Sequence, residues 1–280
     1  MVAKPFRPKK RFGQNFLYDP AIAARITDAA GLTQEDAVIE LGAGKGILTK
    51  PLAQACGRLI ALEIDTALHK ALVDHFESSD PPLAKVEVLN VDFTDVSLTA
   101  LAAEAGYERC VLVGNIPYHL TRDVLFSFLV DENEMIQSAY LMMQREVGER
   151  IASSAGSKVY GIPSVILQSL YSVRSLFKVR PGSFFPPPKV ESIVLEFKPL
   201  DEPLVPVEEF KSFKTLVKNV FQQRRKTLHN SIKAFYSLSV SELKQIGEAS
   251  GIDLQKRPEA VSKEGFLAIT RALSRVTAKA

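Results

Sequence analysis

A short apolar segment that runs straight into closely spaced glycines, Val38-Ile39-Glu40-Leu41-Gly42-Ala43-Gly44-Lys45-Gly46, constrains this chain more than any other feature. Glycine lets the backbone turn sharply between a strand and a helix and approach a bound molecule, and the helix beyond it presents free N–H groups at its start. The following segments keep the same rhythm. Apolar runs at 37–41, 59–63, 86–91, 110–114 and 138–143 read as strands. Helices are expected over about 46–56, 66–76 and 121–129, with another at 19–30 ahead of the first strand. Apolar strands alternating with amphipathic helices predict an α/β fold, a parallel sheet covered on both faces.

Two β-branched segments, 173–179 and 190–197, are expected to complete the sheet as an antiparallel edge. Prolines and acids punctuate 199–206, and helical patterns follow at 207–221, 227–235, 240–250 and 263–275. The chain therefore reads as an α/β domain over 1–200, opened by a basic arm at 1–15, and a small all-helical domain over 201–280.

Charge is uneven along the 280 residues. Lys4, Arg7, Lys9, Lys10 and Arg11 open the chain without an acid, and residues 201–280 carry 14 Lys or Arg against 9 Asp or Glu. Each end is thus +5 while the whole chain is +3, which leaves a body of −7. Basic ends around an acidic body suit a polyanion held by the ends. Apolar runs fall short of the roughly 18 residues that a spanning helix needs, so a cytoplasmic protein is expected, away from membranes. Cys56, Cys110 and the four histidines lack metal-ligand spacing, so the cysteines read as buried thiols and no metal is expected.

The glycines run G-x-G-x-G rather than G-x-G-x-x-G, and Glu40 precedes them. A carboxylate there is unsuited to a pyrophosphate and suited to a ligand bearing a sulfonium and an ammonium, which points to S-adenosylmethionine. Glu63 ends the second strand, placed to accept from both hydroxyls of a ribose; Asp92 follows the third, placed to accept from an adenine amine. After the fourth strand comes Gly114-Asn115-Ile116-Pro117-Tyr118. An adenine amino group is a poor nucleophile because its lone pair is delocalised into the ring. An Asn side-chain carbonyl and a proline-constrained backbone carbonyl can accept both its N–H hydrogens and favour a pyramidal nitrogen, while Tyr118 offers a surface for the base.

These residues resemble a known family. Asn-Ile-Pro-Tyr after the fourth strand is similar to the signature of amino-N6 methyltransferases. With Arg11-Phe12-Gly13-Gln14-Asn15-Phe16-Leu17, Gln144-Arg145-Glu146-Val147, Phe184-x-Pro186-Pro187-Pro188-Lys189-Val190-x-Ser192 and a basic helix expected over Phe221 to Leu228, it resembles the ribosomal RNA adenine dimethylases. The resemblance implies a Rossmann-like class I methyltransferase sheet with a helical, RNA-binding C-terminal domain. It implies S-adenosylmethionine held by Asn15, Leu17, Gly42, Gly44, Glu63, Asp92 and Asn115, and a target adenine served by Asn115, Pro117, Tyr118 and Phe184. It further implies dimethylation of two adjacent adenosines near the 3′ end of 16S rRNA in a small-subunit precursor, by a monomer. Lys9, Lys10, Arg11, Arg224, Arg225 and Lys226 are the expected RNA contacts. Ala43, where many members have Pro, and His119, where Asn is common, depart from the pattern. A large-subunit rRNA methyltransferase of the resistance type and a non-catalytic assembly factor are the rival readings. A nicotinamide dehydrogenase is disfavoured by the glycine spacing.

Overall fold

The computed structural model describes residues 14–78 and 85–278. The basic residues of the opening arm, Lys9, Lys10 and Arg11 among them, lie outside this range.

The centre of the fold is β2 (Ala37–Leu41), buried along its whole length. It pairs in parallel with β3 (Arg58–Leu62) on one side and β5 (Cys110–Asn115) on the other. A strand with a neighbour on each edge and helices over each face sees no water, so its residues are apolar, Glu40 excepted, rather than alternating. Outward from it, β3 pairs in parallel with β4 (Lys85–Leu89), and β5 with β6 (Ile136–Gln144). Two later strands, β7 (Tyr171–Val179) and β9 (Ser192–Pro199), complete a seven-stranded sheet ordered β4-β3-β2-β5-β6-β9-β7. The two strands expected together as an edge thus differ: β9 runs antiparallel to β6 and is interior, with Ser192–Phe197 buried, and of the two β7 alone lies at an edge.

Local chemistry explains the helix starts. Asp19 caps α1 (Pro20–Ala30) by accepting from Ala21 N, Pro20 opens the first turn, and Gly31 ends it in the left-handed region. Asp65 caps α3 (Thr66–Glu77) in the same way. Between them α2 (Thr49–Ala55) begins three residues later than its pattern suggests, because the glycine loop continues to that point. A further short helix, α4 (Leu98–Ala105), is capped by Ser97 and Gly106. The segment expected as one helix at 121–129 starts as α5 (Thr121–Asp123) and widens into π-helix over Val124–Asp131.

The described residues fall into two compact units, one of those up to 148 with 174–198, the other of 149–173 with those from 199 onward. Residues 149–173, grouped with the α/β part on sequence, associate with the terminal helices. The second unit holds α7 (Ile162–Gln168), α8 (Val207–Gln222), α9 (Leu228–Tyr236), α10 (Val240–Ser250) and α11 (Lys263–Thr277). The Phe221 ring packs against Phe266 at 5.7 Å and Tyr160 at 6.3 Å, the latter edge-on, so the 149–173 segment supplies part of this unit's core. Among the described residues no helix is long and apolar enough to cross a membrane. Cys56 and Cys110 are buried free thiols.

Candidate active site

A cavity of about 310 Å³ opens at the carboxyl ends of β2, β3 and β5, where ligands bind in open α/β sheets. Its lining brings together Asn15, Gly42, Gly44, Glu63, Asp92, Asn115, Pro117, Tyr118 and Phe184 from six separate stretches of chain. Among the cofactor and target-base residues expected from sequence, Leu17 alone is not in that lining. It forms β1 (Phe16–Leu17), opposite Phe184 of β8 (Phe184–Phe185), with its side chain in the hydrophobic core.

The glycine loop forms because three of its residues stand at positive φ, Gly42 at 74°, Gly44 at 60° and Gly46 at 80°. A Cβ at Gly44 would also stand 3.2 Å from the Phe16 ring. The N–H groups of Gly42 and Ala43 both donate to Leu62 O at 3.0 Å. Ala43 therefore makes a bond that a proline there would lack the hydrogen to make. Gly44 N donates to Glu63 Oε2 at 2.7 Å, and Asp65 N donates to Glu63 Oε1 at 2.8 Å. Each Glu63 oxygen is held by one backbone N–H and keeps lone pairs for a ligand hydroxyl. Burial raises the Glu63 pKa, and these two hydrogen bonds oppose the shift. Asp92 Oδ1 accepts from Thr94 N and Oγ1 at 2.9 and 2.7 Å, which fixes the carboxylate at the cavity edge.

Glu40 departs from its expected role. It is 1% exposed and absent from the cavity lining. Desolvation pushes its pKa to about 8; the Thr49 hydroxyl beside it offsets part of this, and the Glu63 carboxylate adds to it. A side chain mostly protonated at neutral pH cannot select ligands by negative charge, so that step of the sequence argument fails. Its stability consequence has a definite sign. Between the ordinary value of 4.5 and about 8, only the folded chain keeps the Glu40 proton, so its contribution to stability falls as pH rises through that window. Glu40→Gln, which cannot ionise, is expected to gain on the parent by on the order of a few kcal/mol from about pH 5 to pH 8 in urea unfolding. A gap that does not change with pH would contradict this.

At the end of β5, Asn115 Nδ2 donates to the main-chain oxygen of Asn15 at 3.0 Å. Ile116 N donates to Met142 O at 3.0 Å, which fixes the start of the tetrapeptide to β6. The Pro117 carbonyl accepts from Leu120 N at 2.9 Å and closes a 3₁₀ turn. Tyr118 Oη and Ser192 Oγ share a 2.9 Å hydrogen bond, and burial raises the Tyr118 pKa. Ser192, the last residue of the proline-rich motif, thus orients the ring. Gln14, Phe16, Ile64, Phe93, Ile116, His119 and Leu120 also line the cavity, each within two residues of an expected position. Among the described residues, no three His, Cys, Asp or Glu side chains cluster as metal ligands would.

The second basic cluster is not a helix. Residues 223–226 form the turn between α8 and α9, where Gln223 N donates to Val220 O and Lys226 N to Gln223 O. Arg224 spends its guanidinium on the carbonyls of Lys158 and Tyr160, at 2.9 and 3.3 Å. Arg225 and Lys226 are exposed.

Comparison with known proteins places this geometry in context. The family model "Ribosomal RNA adenine dimethylase" matches residues 6–274. The chain is 42% identical to the Ribosomal RNA small subunit methyltransferase A of Geobacter metallireducens, over 98% of each chain. It is 41% identical to that of Syntrophotalea carbinolica, over 93% of this chain and 94% of the relative. Among solved structures, a dimethyladenosine transferase from Plasmodium falciparum superposes with a TM-score of 0.78 at 22% identity, over 94% of this chain and 98% of the other. The 23S rRNA methyltransferase ErmE superposes with 0.73 at 24%, over 93% and 100%. At those identities the two structures speak for the fold.

Proposed function

Because the chain belongs to the ribosomal RNA adenine dimethylase family, we propose that its cavity is where S-adenosylmethionine meets two adjacent adenosines near the 3′ end of 16S rRNA in turn, converting each to N6,N6-dimethyladenosine as the small subunit is assembled. The observation that carries this reading is the hydrogen bond from Asn115 Nδ2 to Asn15 O. It commits the donor end of the amide and leaves Oδ1 as an acceptor for a base amine.

The residues present fit the cofactor. A Cβ at Gly44 would crowd Phe16 at 3.2 Å, Glu63 offers two fixed acceptors, and Asp92 stands at the cavity edge. In this reading Gly42, Gly44 and Asn15 bound the site, Glu63 holds the ribose hydroxyls, and Asp92 holds the adenine amine. Leu17 stands beside Phe184 across the ribbon and shares its hydrophobic cluster. When bound, S-adenosylmethionine supplies an electrophilic methyl group on a sulfonium.

Asn115 Oδ1 accepts one N6 hydrogen of the target. The Pro117 carbonyl already closes its own turn, so the Ile116 carbonyl, held by the proline ring that follows it, is the better second acceptor. Two neutral acceptors leave the nitrogen lone pair out of the ring plane without requiring a charged base. Tyr118, fixed through Ser192, stacks on one face of the adenine and Phe184 closes the other. Positioning then accounts for most of the rate.

Phosphate contacts fall to Arg225 and Lys226, with Arg224 shaping the 158–160 loop, and to Lys9, Lys10 and Arg11. Replacing Arg225 and Lys226 by Ala is expected to lower the slope of log affinity against log salt by about 1.5, with cofactor affinity unchanged; an unaltered slope would remove them from the interface. The function itself is tested by labelled methyl transfer to small subunits from undermethylated cells, with nucleoside analysis. Label is expected in N6,N6-dimethyladenosine of the small-subunit RNA. Label confined to large-subunit RNA, or none, would overturn the assignment.

A further inference from the structure

The ribbon formed by β1 and β8 carries two aromatic rings that neither the cavity nor the core uses. Tyr18 is 56% and Phe185 53% exposed, unusual for rings of this size. Pairing places them together. Phe16 stands opposite Phe185 and Leu17 opposite Phe184, and Tyr18 N continues the register by donating to Ser183 O at 3.0 Å. Tyr18 and Phe185 are therefore diagonal neighbours on one face of the ribbon, within reach of one another's side chains.

The ribbon is also braced. Tyr18 Oη donates to Gly182 O, and Ser183 Oγ donates to Asp19 Oδ2 at 3.1 Å. Phe184 and Phe16, the immediate neighbours of Phe185 along and across the ribbon, line the cavity. Arg180 and Lys189 are exposed on either side of β8, and Val190 is 45% exposed. Glu191 is a nearby acid, and its carboxylate is paired with Arg145 at 2.6 Å.

We propose that Tyr18 and Phe185 form a stacking platform at the cavity rim for the unpaired base next to the target adenine, with Arg180 and Lys189 taking the phosphates on either side. The proposal rests on the function given above. Three features favour a nucleotide: continuity with the wall that would hold the target base, a Tyr18 ring held by its hydroxyl before binding, and cations flanking the pair. Stacking on aromatic rings is the usual means of holding a splayed base, and it tolerates any base identity. Tyr18 falls just outside the Arg11–Leu17 motif and Phe185 at the open position of the Phe184–Ser192 motif. The platform is thus a feature of this chain's own residues.

The test is the steady-state kinetics of methyl transfer to undermethylated small subunits by the full chain. Phe185→Leu and Tyr18→Leu keep apolar bulk and lose the ring, so each is expected to raise KM for the subunit about tenfold, with kcat within about twofold. Cofactor affinity, measured by calorimetry, is expected to stay at the parent value. Phe185→Trp is expected to restore KM. KM values equal to the parent in both Leu variants would overturn the platform, as would a Trp variant no better than Leu. Loss of a concentration-dependent dimer in the Leu variants, with KM unchanged, would give the face to a second copy of the chain. Absence of transfer by the unaltered chain would instead sink the function reading, so the two failures are distinguishable.

Discussion

Asn115→Ala is expected to slow methyl transfer about a thousandfold in single-turnover assays, the scale seen when one oriented polar group is taken from a transition state. The amide of Asn115 does two things at once. Its Nδ2 donates to Asn15 O, which fixes the side chain, and its Oδ1 is left to accept from a base amine in the proposed mechanism. Alanine removes both. Asn115→Asp separates them, since a carboxylate keeps acceptor oxygens but has no hydrogen for Asn15 O and sets a negative charge against that carbonyl. It is therefore also expected to lose most transfer. Near-normal transfer by Asn115→Asp would mean that the bond to Asn15 is dispensable; near-normal transfer by Asn115→Ala would remove the mechanism.

The second large effect is expected at Glu63. Both its oxygens accept backbone N–H groups, from Gly44 in the glycine loop and from Asp65 at the cap of α3. In Glu63→Gln one of those N–H groups must face an NH₂ donor, and an unmade hydrogen bond in this buried position costs about 1–3 kcal/mol. The loop loses a tether and the ribose an acceptor together. S-adenosylmethionine affinity is expected to fall about a hundredfold, equivalent to roughly 2.7 kcal/mol, with folding stability reduced by about 1–3 kcal/mol. Calorimetric titration and urea unfolding check the two figures, and a variant that binds the donor as the parent does would detach Glu63 from the cofactor.

The parallel core of the sheet is legible in the sequence because burial on both faces writes itself as short unbroken apolar runs between glycines and acids. That logic covers β2, β3 and β5, together with Glu63 at the end of β3. Position within the sheet is a different matter. The pairing of β9 with β6 joins residues some fifty positions apart, and nothing in the composition of 192–197 separates an interior antiparallel strand from an edge. Helix α7 escapes notice because Ser164 to Leu167 are all buried, which erases any 3.6-residue period, and α4 because it has only eight residues. The turn at 223–226 hides inside residues of high helical propensity, and β1 and β8 are two residues each.

The site divides along the same line. Residues that reach the cavity lining from motif positions, such as Glu63 and Asn115, can be read from strand ends and local spacing. Support across long separations cannot: Asn15 O holding Asn115, Ser192 holding Tyr118 and Arg224 holding the 158–160 loop depend on tertiary approach. Glu40 shows the opposite error. Its place before the glycines invites an electrostatic role, whereas its side chain is sealed from the cavity and holds its proton.

One structure tests the central claim most directly: that of this chain crystallised with S-adenosylmethionine. The adenosyl group is expected between Glu63 and Asp92, with the sulfonium methyl directed at the space bounded by Asn115 Oδ1 and the Ile116 carbonyl. A donor bound elsewhere, or a methyl group turned away from Asn115, would contradict it.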